Sequence, residues 1–392
     1  MKSTRSTTTI PFYRDERFLR TAAQIVSAIV VIAFLVLIVV NFFRALDARN
    51  LSLSYDFLNV TAAFPISDPA IEYTPADTFG RAFLVGLLNT LRVSVLGVLM
   101  ATILGTMIAL ARLSSNWLLS RIALAYIEFH RNIPLLVLLF IWYFAVFSQL
   151  PSLENSIIFP GPSYLNQRGA FLSWPRLNEN GWIFVAALII GLLVAVIIWS
   201  NLRRKREETG EDTKFGRNSL LSFVIISVIG WFLSGGDPFW IDTPALEGLN
   251  IQGGLRFTPE FLGLFVGLFT YTAAFIAEVV RAGIQAVDKG QLEAASAVGL
   301  SSFQVLSLVI IPQSLRIIIP PMISQYLNLT KNSSLALAIG FQELFSVGKI
   351  VINQAGLAVP VFILIMASYL VLSGITSLIL NIYNRRIQFT TR

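Results

Sequence analysis

The chain has 392 residues, of which 55% are hydrophobic and 13% charged, and its mean hydropathy is +0.72. Water-soluble domains carry about 25% charged residues, so this composition excludes a soluble fold and indicates a membrane protein. The sequence has no cysteine and a single histidine, His130, which argues against disulfides, thiolate nucleophiles and histidine metal centres, and we predict no catalytic residue, metal site or cofactor.

Eight apolar stretches are long enough to cross a bilayer as helices, which takes about 20 residues each. In chain order they are residues 21–43, 82–110, 125–148, 182–200, 218–234, 260–280, 315–341 and 359–383. The third begins with polar residues, and the seventh contains Pro320, Pro321 and Lys331, so neither is a plain apolar helix. The pattern predicts an all-α polytopic membrane protein with about eight transmembrane helices.

The first span, 21–43, is followed by Asn41-Phe-Phe-Arg44 rather than by a cleavage site of small residues. Signal peptides end in such a site and have a shorter apolar region. The first span is therefore interpreted as an uncleaved membrane anchor.

The basic residues predict the orientation of the chain. If the N-terminus is cytoplasmic and all eight stretches span, the inner segments hold 20 of the 29 Lys and Arg residues and the outer segments hold 7. Cytoplasmic loops are enriched in Lys and Arg, so both termini and the basic turn at 203–217 are predicted to be inside. Arg92 and Lys331 remain within spans, and Arg92 is expected to extend outward to the interface.

Small residues recur in the second span at Gly97, Ala101, Gly105 and Ala109. A spacing of four residues places them on one face of a helix. Such a face allows another helix backbone to approach closely, so we predict a helix contact along this stripe.

Polar residues interrupt the seventh span at Asn328, Lys331, Asn332, Ser333 and Ser334. An ammonium group inside a bilayer is costly unless it faces protein, water or a partner charge, so the segment is a candidate translocation pathway or gate. The alternative is structural: Lys331 extends to the interface or stabilises a helix break. The sequence leaves both interpretations open.

Two short helices are predicted in the cytoplasmic loop between the sixth and seventh spans. Asp288 with Gln291 fits a helix N-cap and its reciprocal partner, and Gly299 fits a left-handed C-terminal stop. Ser301 with Gln304 then fits the cap of a second helix. The first helix is too short to be stable alone.

The first of these helices is expected to expose Ala294, Ala295, Ala297 and Val298 beside one acid, Glu293. A surface of small residues fits into a groove on another protein. A helix resting on lipid headgroups would instead carry more Lys and Arg and larger apolar residues. We therefore favour docking on a protein.

The loop also resembles a known family. Glu293-Ala-Ala-x-x-x-Gly299, followed after nine residues by Val309-Ile-Ile-Pro312, is similar to the EAA loop of permease subunits of bacterial ABC importers. Val309 stands where the family usually has Ile, and Ile311 where it has Leu. Further stretches resemble landmarks of the polar amino acid, HisMQ-like branch: Asn89-Thr-Leu91 with Gly105, 131–136, 277–284, 313–316, Pro320-Pro321 and 331–335.

The resemblance covers about 80–148 and 260–385 and implies a five-helix MetI-like core. Both ends of the intervening insertion face outside, so it must cross the membrane an even number of times, and spans four and five supply a hairpin. This layout resembles the larger permease of general L-amino-acid importers of the Aap or Bzt type. The implied division is an inner tail (1–20), an extra helix and outer loop (21–79), the permease domain (80–385) with its insertion (150–258) and coupling loop (283–312), and a second inner tail (386–392).

In this family the EAA loop is the coupling helix that docks on the ATPase, so the resemblance assigns that role to Glu293, Ala294, Ala295, Gly299 and Pro312. The sequence has no Gly-x-x-x-x-Gly-Lys-Ser/Thr loop to bind ATP phosphates, so a separate ATPase is expected. The other implied partners are a second permease subunit, a periplasmic amino-acid-binding protein, an amino acid substrate and membrane lipid, in a bacterial inner membrane.

The sequence is less typical of two other classes of protein. A secondary transporter or channel driven by an ion gradient would be expected to show several intramembrane acids or inverted repeats, whereas the only acid beyond the first four residues of any span is Glu278, near an inner end. A membrane enzyme needs a catalytic constellation at an interface. The lack of cysteine and the single His130 argue against an enzyme.

Overall fold

The computed structural model describes residues 16–48, 53–248 and 250–387, so most of both predicted inner tails lies outside the described residues. The fold is mainly helical, as predicted. Its α-helices are α1 (Glu16–Ala48), α2 (Phe79–Leu113), α3 (Trp117–Asn132), α4 (Leu135–Phe140), α5 (Gly181–Thr209), α6 (Phe215–Leu233), α7 (Pro259–Gln285), α8 (Lys289–Ala297), α9 (Ser302–Gln304), α10 (Ile311–Asn332), α11 (Leu344–Ala355) and α12 (Ala358–Ile387).

Among the described residues, seven helical segments are long and apolar enough to cross a membrane, and the number is eight if one bent pair counts as a span. This agrees with the predicted polytopic fold. The bent pair is the predicted third span, 125–148, which is not one straight helix. It consists of Trp117–Asn132 and Leu135–Gln149, with an angle of 107° between them. Pro134 lies at the break. Because proline disfavours helical backbone in the residue before it, the first helix of the pair ends there.

The predicted seventh span, 315–341, begins earlier than expected and contains three kinds of helix. The apolar segment runs from Ser302 to Ile339. It starts as α9, widens to a π-helix over Val305–Ile310, continues as α10 through both prolines, and ends as a 3-10 helix over Ser333–Ile339. The inner loop and the outer half of this span therefore form one continuous helical segment.

Helices α2 and α7 pack against each other at the centre of the core. A Cβ atom added at Gly105 would lie 2.8 Å from the Ala273 carbonyl oxygen, and one added at Gly97 would lie 3.2 Å from Leu329 of α10. Ala101 and Ala109 are fully buried. The predicted stripe of small residues is thus confirmed as a face of close helix contact.

The insertion between α4 and α7 contains the predicted helical hairpin, α5 and α6, which pack on each other. Its described residues also form eight short strands that hydropathy did not predict. The strands are β1 (Ile157–Phe159), β2 (Ser163–Asn166), β3 (Gly169–Leu172), β4 (Trp174–Leu177), β5 (Phe239–Asp242), β6 (Ala245–Glu247), β7 (Asn250–Gln252) and β8 (Leu255–Phe257). All pairs are antiparallel: β1, β2, β3 and β8 form one sheet in that order, β4 pairs with β5, and β6 pairs with β7.

The structure adds protein partners for Arg92, which was expected to extend outward to the interface. Its guanidinium lies 2.9 Å from the carboxylate of Asp68 and is centred 4.5 Å above the ring of Phe261. Asp68 belongs to the segment before α2, which folds back onto that helix. The cation therefore has a carboxylate and an aromatic ring as partners inside the protein, and this pairing depends on the tertiary fold.

Candidate coupling helix and translocation face

Helix α8 is closed at its start by Asp288, as predicted. The carboxylate accepts a hydrogen bond from the backbone N–H of Gly290 at 2.6 Å, rather than from the expected partner, Gln291. A side-chain cap of this kind satisfies an N–H group that has no partner within the helix. The cap fixes where the helix begins after the turn that leaves α7.

At its other end, α8 stops at Gly299 through a Schellman motif. Gly299 has a φ of +81°, which disfavours any residue with a side chain. Its N–H donates to the carbonyl of Ser296 at 3.0 Å, and the N–H of Leu300 donates to the carbonyl of Ala295 at 3.2 Å. These two bonds satisfy carbonyls at the helix end. Both ends of α8 are therefore fixed by hydrogen bonds.

The chain turns directly from α8 into the segment that becomes α10. Ser301 and Gln304 form the predicted capping box, with bonds of 3.4 Å and 2.9 Å. Helix α8 then packs against the π-helix Val305–Ile310, and Pro312 lies in the first turn of α10. Helix α8 is therefore connected to α10 by a packed contact and a tight turn.

The exposed surface of α8 differs from the prediction at one residue. Glu293, Ala294 and Ala297 are exposed, but Ala295 is buried, with 6% of its surface accessible. Ala295 lies on the side of α8 that packs against the body of the chain. Its small side chain allows that packing rather than the approach of a partner.

Two large apolar side chains extend the exposed surface of α8. Val298 and Phe303 are each 77% exposed. Phe303 was not among the predicted site residues, although an aromatic residue between the cap residues Ser301 and Gln304 is an unusual feature of a polar turn. Exposed apolar groups beside small residues are typical of a protein interaction site. We call the surface of Glu293, Ala294, Ala297, Val298 and Phe303 the docking surface.

The five predicted pathway residues are not all in the same environment. Asn328 and Lys331 are exposed, Asn332 and Ser334 are half-buried, and Ser333 is fully buried. The Ser333 hydroxyl donates to the carbonyl of Thr330 at 2.8 Å. Ser333 is therefore unavailable to a solute, because the chain changes from α-helix to 3-10 helix there and turns this side chain inward.

Asn328 and Lys331 share one open face of α10. Five of the exposed residues of this helix recur every three or four positions, which places them on a single face. From the inner to the outer half these five are Ile317, Pro321, Ser324, Asn328 and Lys331. The face changes from apolar to polar toward its outer half, and we call it the open face of α10.

A network of buried polar groups beyond the outer end of α10 was missed by the sequence analysis. Glu343 is fully buried and caps α11, accepting bonds from the N–H groups of Phe345 at 3.0 Å and Ser346 at 2.8 Å. It also accepts a bond from the Tyr369 hydroxyl at 2.8 Å. The available signal was a polar segment, Gln342-Glu343, directly before an apolar helical run. The network fixes α11 against α12.

Asn89, part of the Asn89-Thr-Leu91 landmark, connects α2 to this outer region. Its Nδ2 donates to the carbonyl of Gln342 at 2.9 Å, and its Oδ1 accepts from the N–H of Ala70 at 3.0 Å. The side chain of Gln342 in turn accepts a bond from the Ser67 N–H at 2.7 Å. The outer segment before α2 is thereby attached to both α2 and the turn before α11.

Comparison with known proteins agrees with this arrangement. The family described as "Binding-protein-dependent transport system inner membrane component" matches residues 217–389. The chain is 40% identical over 370 residues to the putative amino-acid ABC transporter permease protein YhdX of Escherichia coli, with 94% of each chain covered. It is also 40% identical over 380 residues to the general L-amino acid transport system permease protein AapQ of Rhizobium johnstonii, covering 96% of this chain and 94% of that protein.

A third relative is the glutamate/glutamine/aspartate/asparagine transport system permease protein BztB of Rhodobacter capsulatus, which is 36% identical over 411 residues with 96% of each chain covered. These matches extend over nearly the whole chain, including the α1 region and the insertion. They confirm the resemblance that the loop motif and the layout indicated. The chain therefore belongs to the family of amino-acid ABC transporter permease proteins, the membrane components of binding-protein-dependent transport systems.

Proposed function

We propose that this chain lines the translocation path for L-amino acids across the bacterial inner membrane, together with a second permease subunit, and that its docking surface receives the motion of the ATPase. As a member of this family the chain is not itself an enzyme, and it works with a separate ATPase and a substrate-binding protein. One observation carries the proposal: the capped helix α8 is joined by the short turn 298–301 to the continuous helical segment that carries the open face of α10.

The docking surface has the properties that such coupling requires. It combines exposed Ala294 and Ala297 with the exposed apolar side chains of Val298 and Phe303. Burial of these groups in a groove stabilises an interface, and the exposed acid Glu293 is available to pair with a basic residue of the partner. Because both ends of α8 are fixed by hydrogen bonds, the helix is expected to move as a rigid unit.

The open face of α10 is the best candidate for the path. Asn328 and Lys331 provide amide and ammonium groups to a zwitterion that loses its water in the bilayer. Exposure of the Lys331 ammonium group to lipid would be energetically unfavourable. This favours a second permease subunit, or the water-filled path between two subunits, as the neighbour of the open face.

The substrate is proposed from the relatives. AapQ is named for general L-amino acids, and BztB for glutamate, glutamine, aspartate and asparagine. We infer a broad range of L-amino acids for this chain. The secondary transporter considered above would require an acid free for ion coupling, whereas Glu278 is paired with Arg281 at 2.8 Å.

The coupling role is tested by the substitution Gly299→Asp. Gly299 lies at the end of α8, and an added Cβ would meet no atom within 4 Å, so the substitution strains the backbone and adds charge beside the docking surface without a clash. We expect the variant to reach the membrane but to lose uptake and substrate-dependent ATP hydrolysis in the reconstituted complex.

Gly210→Asp is the matched control. Gly210 ends α5 at a φ of +72°, and it also has no atom within 4 Å of an added Cβ. The control carries the same type of backbone strain and the same charge, but away from α8. It should retain uptake. Normal uptake by Gly299→Asp would contradict the coupling role, and equal loss in both variants would indicate a general effect of the substitution.

A further inference from the structure

The outer ends of α5 and α6 continue directly into the two-stranded ribbon of β4 and β5. The N–H of Asn178 donates to the carbonyl of Pro238 at 3.1 Å, and its Nδ2 donates to the carbonyl of Asp237 at 2.6 Å. A Cβ atom added at Gly181 would clash with the Pro238 carbonyl oxygen. The ribbon and the helical hairpin are therefore joined closely at this point.

The register of the ribbon separates its side chains into two faces of different chemistry. Directly paired residues share a face of an antiparallel ribbon, and successive residues alternate between faces. The apolar face carries the pairs Pro175 with Ile241 and Leu177 with Phe239. The opposite face carries the pairs Trp174 with Asp242 and Arg176 with Trp240, and its tryptophans are 49% and 48% exposed; we call it the polar face after its ion pair. On the polar face, Arg176 and Asp242 form an ion pair at 2.6 Å.

The apolar face is turned toward the hairpin. The ring of Phe239 packs edge-on against Phe184 of α5, with 5.7 Å between the ring centres. The side chain of Leu177 lies within 3.1 Å of the position of a Cβ atom on Gly181. Ile241 lies on this same face, one strand pair further along, and is 65% exposed. The apolar face therefore extends past the end of the hairpin, and the described residues 16–48, 53–248 and 250–387 leave most of the Ile241 surface uncovered.

Aromatic side chains mark the level at which the ribbon lies. Trp182 near the start of α5 and Trp231 near the end of α6 are 64% and 46% exposed, and Phe232 is 75% exposed. Both helices are apolar enough to span a membrane. Exposed tryptophans at the ends of spanning helices lie among the lipid headgroups. The joined ribbon is consequently placed at the boundary between headgroups and acyl chains.

We propose that the β4–β5 ribbon rests with its apolar face on the outer leaflet of the membrane. The partner is a lipid surface, because the apolar face continues the lipid-facing surface of the hairpin while the opposite face carries an ion pair. Ile241 and Phe239 are the residues that enter the headgroup boundary. The contact fixes the inserted strands to the membrane beside the core.

The test uses the absence of cysteine from the sequence. Ile241→Cys and Trp240→Cys place an environment-sensitive fluorophore on neighbouring residues of opposite faces. Each labelled chain is assembled with its partner subunits in nanodiscs that contain phospholipid with a nitroxide quencher near the headgroup end of the acyl chain. We expect several-fold stronger quenching of the label at position 241 than at position 240.

Equal and weak quenching at both positions would overturn the proposal. A protein on the apolar face is distinguished by its own result: the label at position 241 would report an apolar environment without quenching by lipid, or its quenching would fall when the binding protein is added. Either result would also overturn the proposal. Retained uptake activity of both labelled complexes verifies that the ribbon and the core are intact.

Discussion

At the scale of single residues, a substitution of Lys331 distinguishes between the two interpretations that the sequence left open. Either Lys331 lines the translocation path, or it has a structural role and extends to the interface. It is exposed on the open face of α10, next to the buried Thr330 and one residue before the helix ends at Asn332. A lysine that only extended to the interface would be replaceable by an apolar residue without effect on transport. A lysine that lines the path would not.

We predict that Lys331→Met reduces amino acid uptake severalfold while the complex still assembles, because a polar partner of the moving solute is lost. Uptake of a panel of labelled amino acids by the reconstituted complex measures the effect. Lys349→Met is the control, since Lys349 is an exposed lysine of α11 outside the spans. Unchanged uptake of every amino acid in the Lys331 variant would remove this residue from the proposed path.

Local chemistry explains which residues the sequence predicted correctly. Asp288, Gly299 and Ser301 act through hydrogen bonds to residues within a few positions, so their roles were readable from spacing alone. The burial of Ala295 and the pairing of Arg92 with Asp68 depend on elements that approach only in the folded chain. A single sequence contains no direct signal for such contacts.

At the scale of elements, the contact of α2 with α7 depends on the lack of a side chain at Gly105. A Cβ atom there would lie 2.7 Å from Ile276 and 2.8 Å from the backbone oxygen of Ala273. We predict that Gly105→Ala destabilises the protein by about 1–3 kcal/mol, the usual cost of overpacking a core. The thermal denaturation midpoint of the purified complex measures it.

Gly374→Ala is the control for that substitution, because Gly374 lies within α12 and has no atom within 4 Å of an added Cβ. Alanine is favoured over glycine in a helix by about 1 kcal/mol. The control should therefore leave the midpoint unchanged or raise it. A midpoint that is equally unaffected in both variants would show that α2 and α7 adjust freely.

The attachment of β5 predicts a dependence on pH. The backbone N–H of Gly254 and then the guanidinium of Arg176 lower the pKa of Asp242 below its usual value. A lowered pKa means that the charged form stabilises the fold, and this contribution is present above the unfolded pKa and lost as the pH falls through the folded pKa.

Asp242→Asn should therefore accelerate hydrogen exchange in β5 and β8 at neutral pH, and the difference from the natural chain should shrink in the acid range. Exchange followed by mass spectrometry, corrected for the intrinsic rate at each pH, measures the effect. A difference between the two chains that stayed constant into the acid range would contradict an electrostatic role of Asp242.

Hydropathy predicted the long elements and missed the short ones. Helices α5 and α6 were predicted because each is a long apolar stretch. The strands of the insertion have three or four residues each, and their pairing joins parts of the chain as far apart as Ala170 and Phe257. The bend of 107° at Pro134 was also not predicted, although the proline itself indicated a helix boundary there.

At the scale of the whole molecule, the hairpin is separable from the core. Helices α5 and α6 pack mainly on each other, and the backbones of Asn178 and Pro238 are hydrogen-bonded across its base. We predict that replacing residues 180–236 by a short Gly-Ser linker leaves a chain that inserts with the same orientation, because two spans are removed together. Protease protection of a tag after α12 measures the orientation.

The control is a deletion of residues 180–213, which removes α5 and keeps α6. It changes the number of membrane crossings by one. The tag should then move to the other side of the membrane or the protein should be degraded. An inverted or unstable product from the complete deletion would show that the core requires the hairpin to fold.

The hydrogen bond between Asn178 and Pro238 also bears on how such chains vary in length. The two ends of the hairpin segment lie beside each other, because the N–H of Asn178 is bonded to the carbonyl of Pro238. A single in-frame insertion or deletion is therefore enough to add or remove the hairpin without changing the path of the remaining chain. Permeases with and without this segment are then able to keep the same geometry toward their ATPase. Length differences among relatives should accordingly be concentrated at this position.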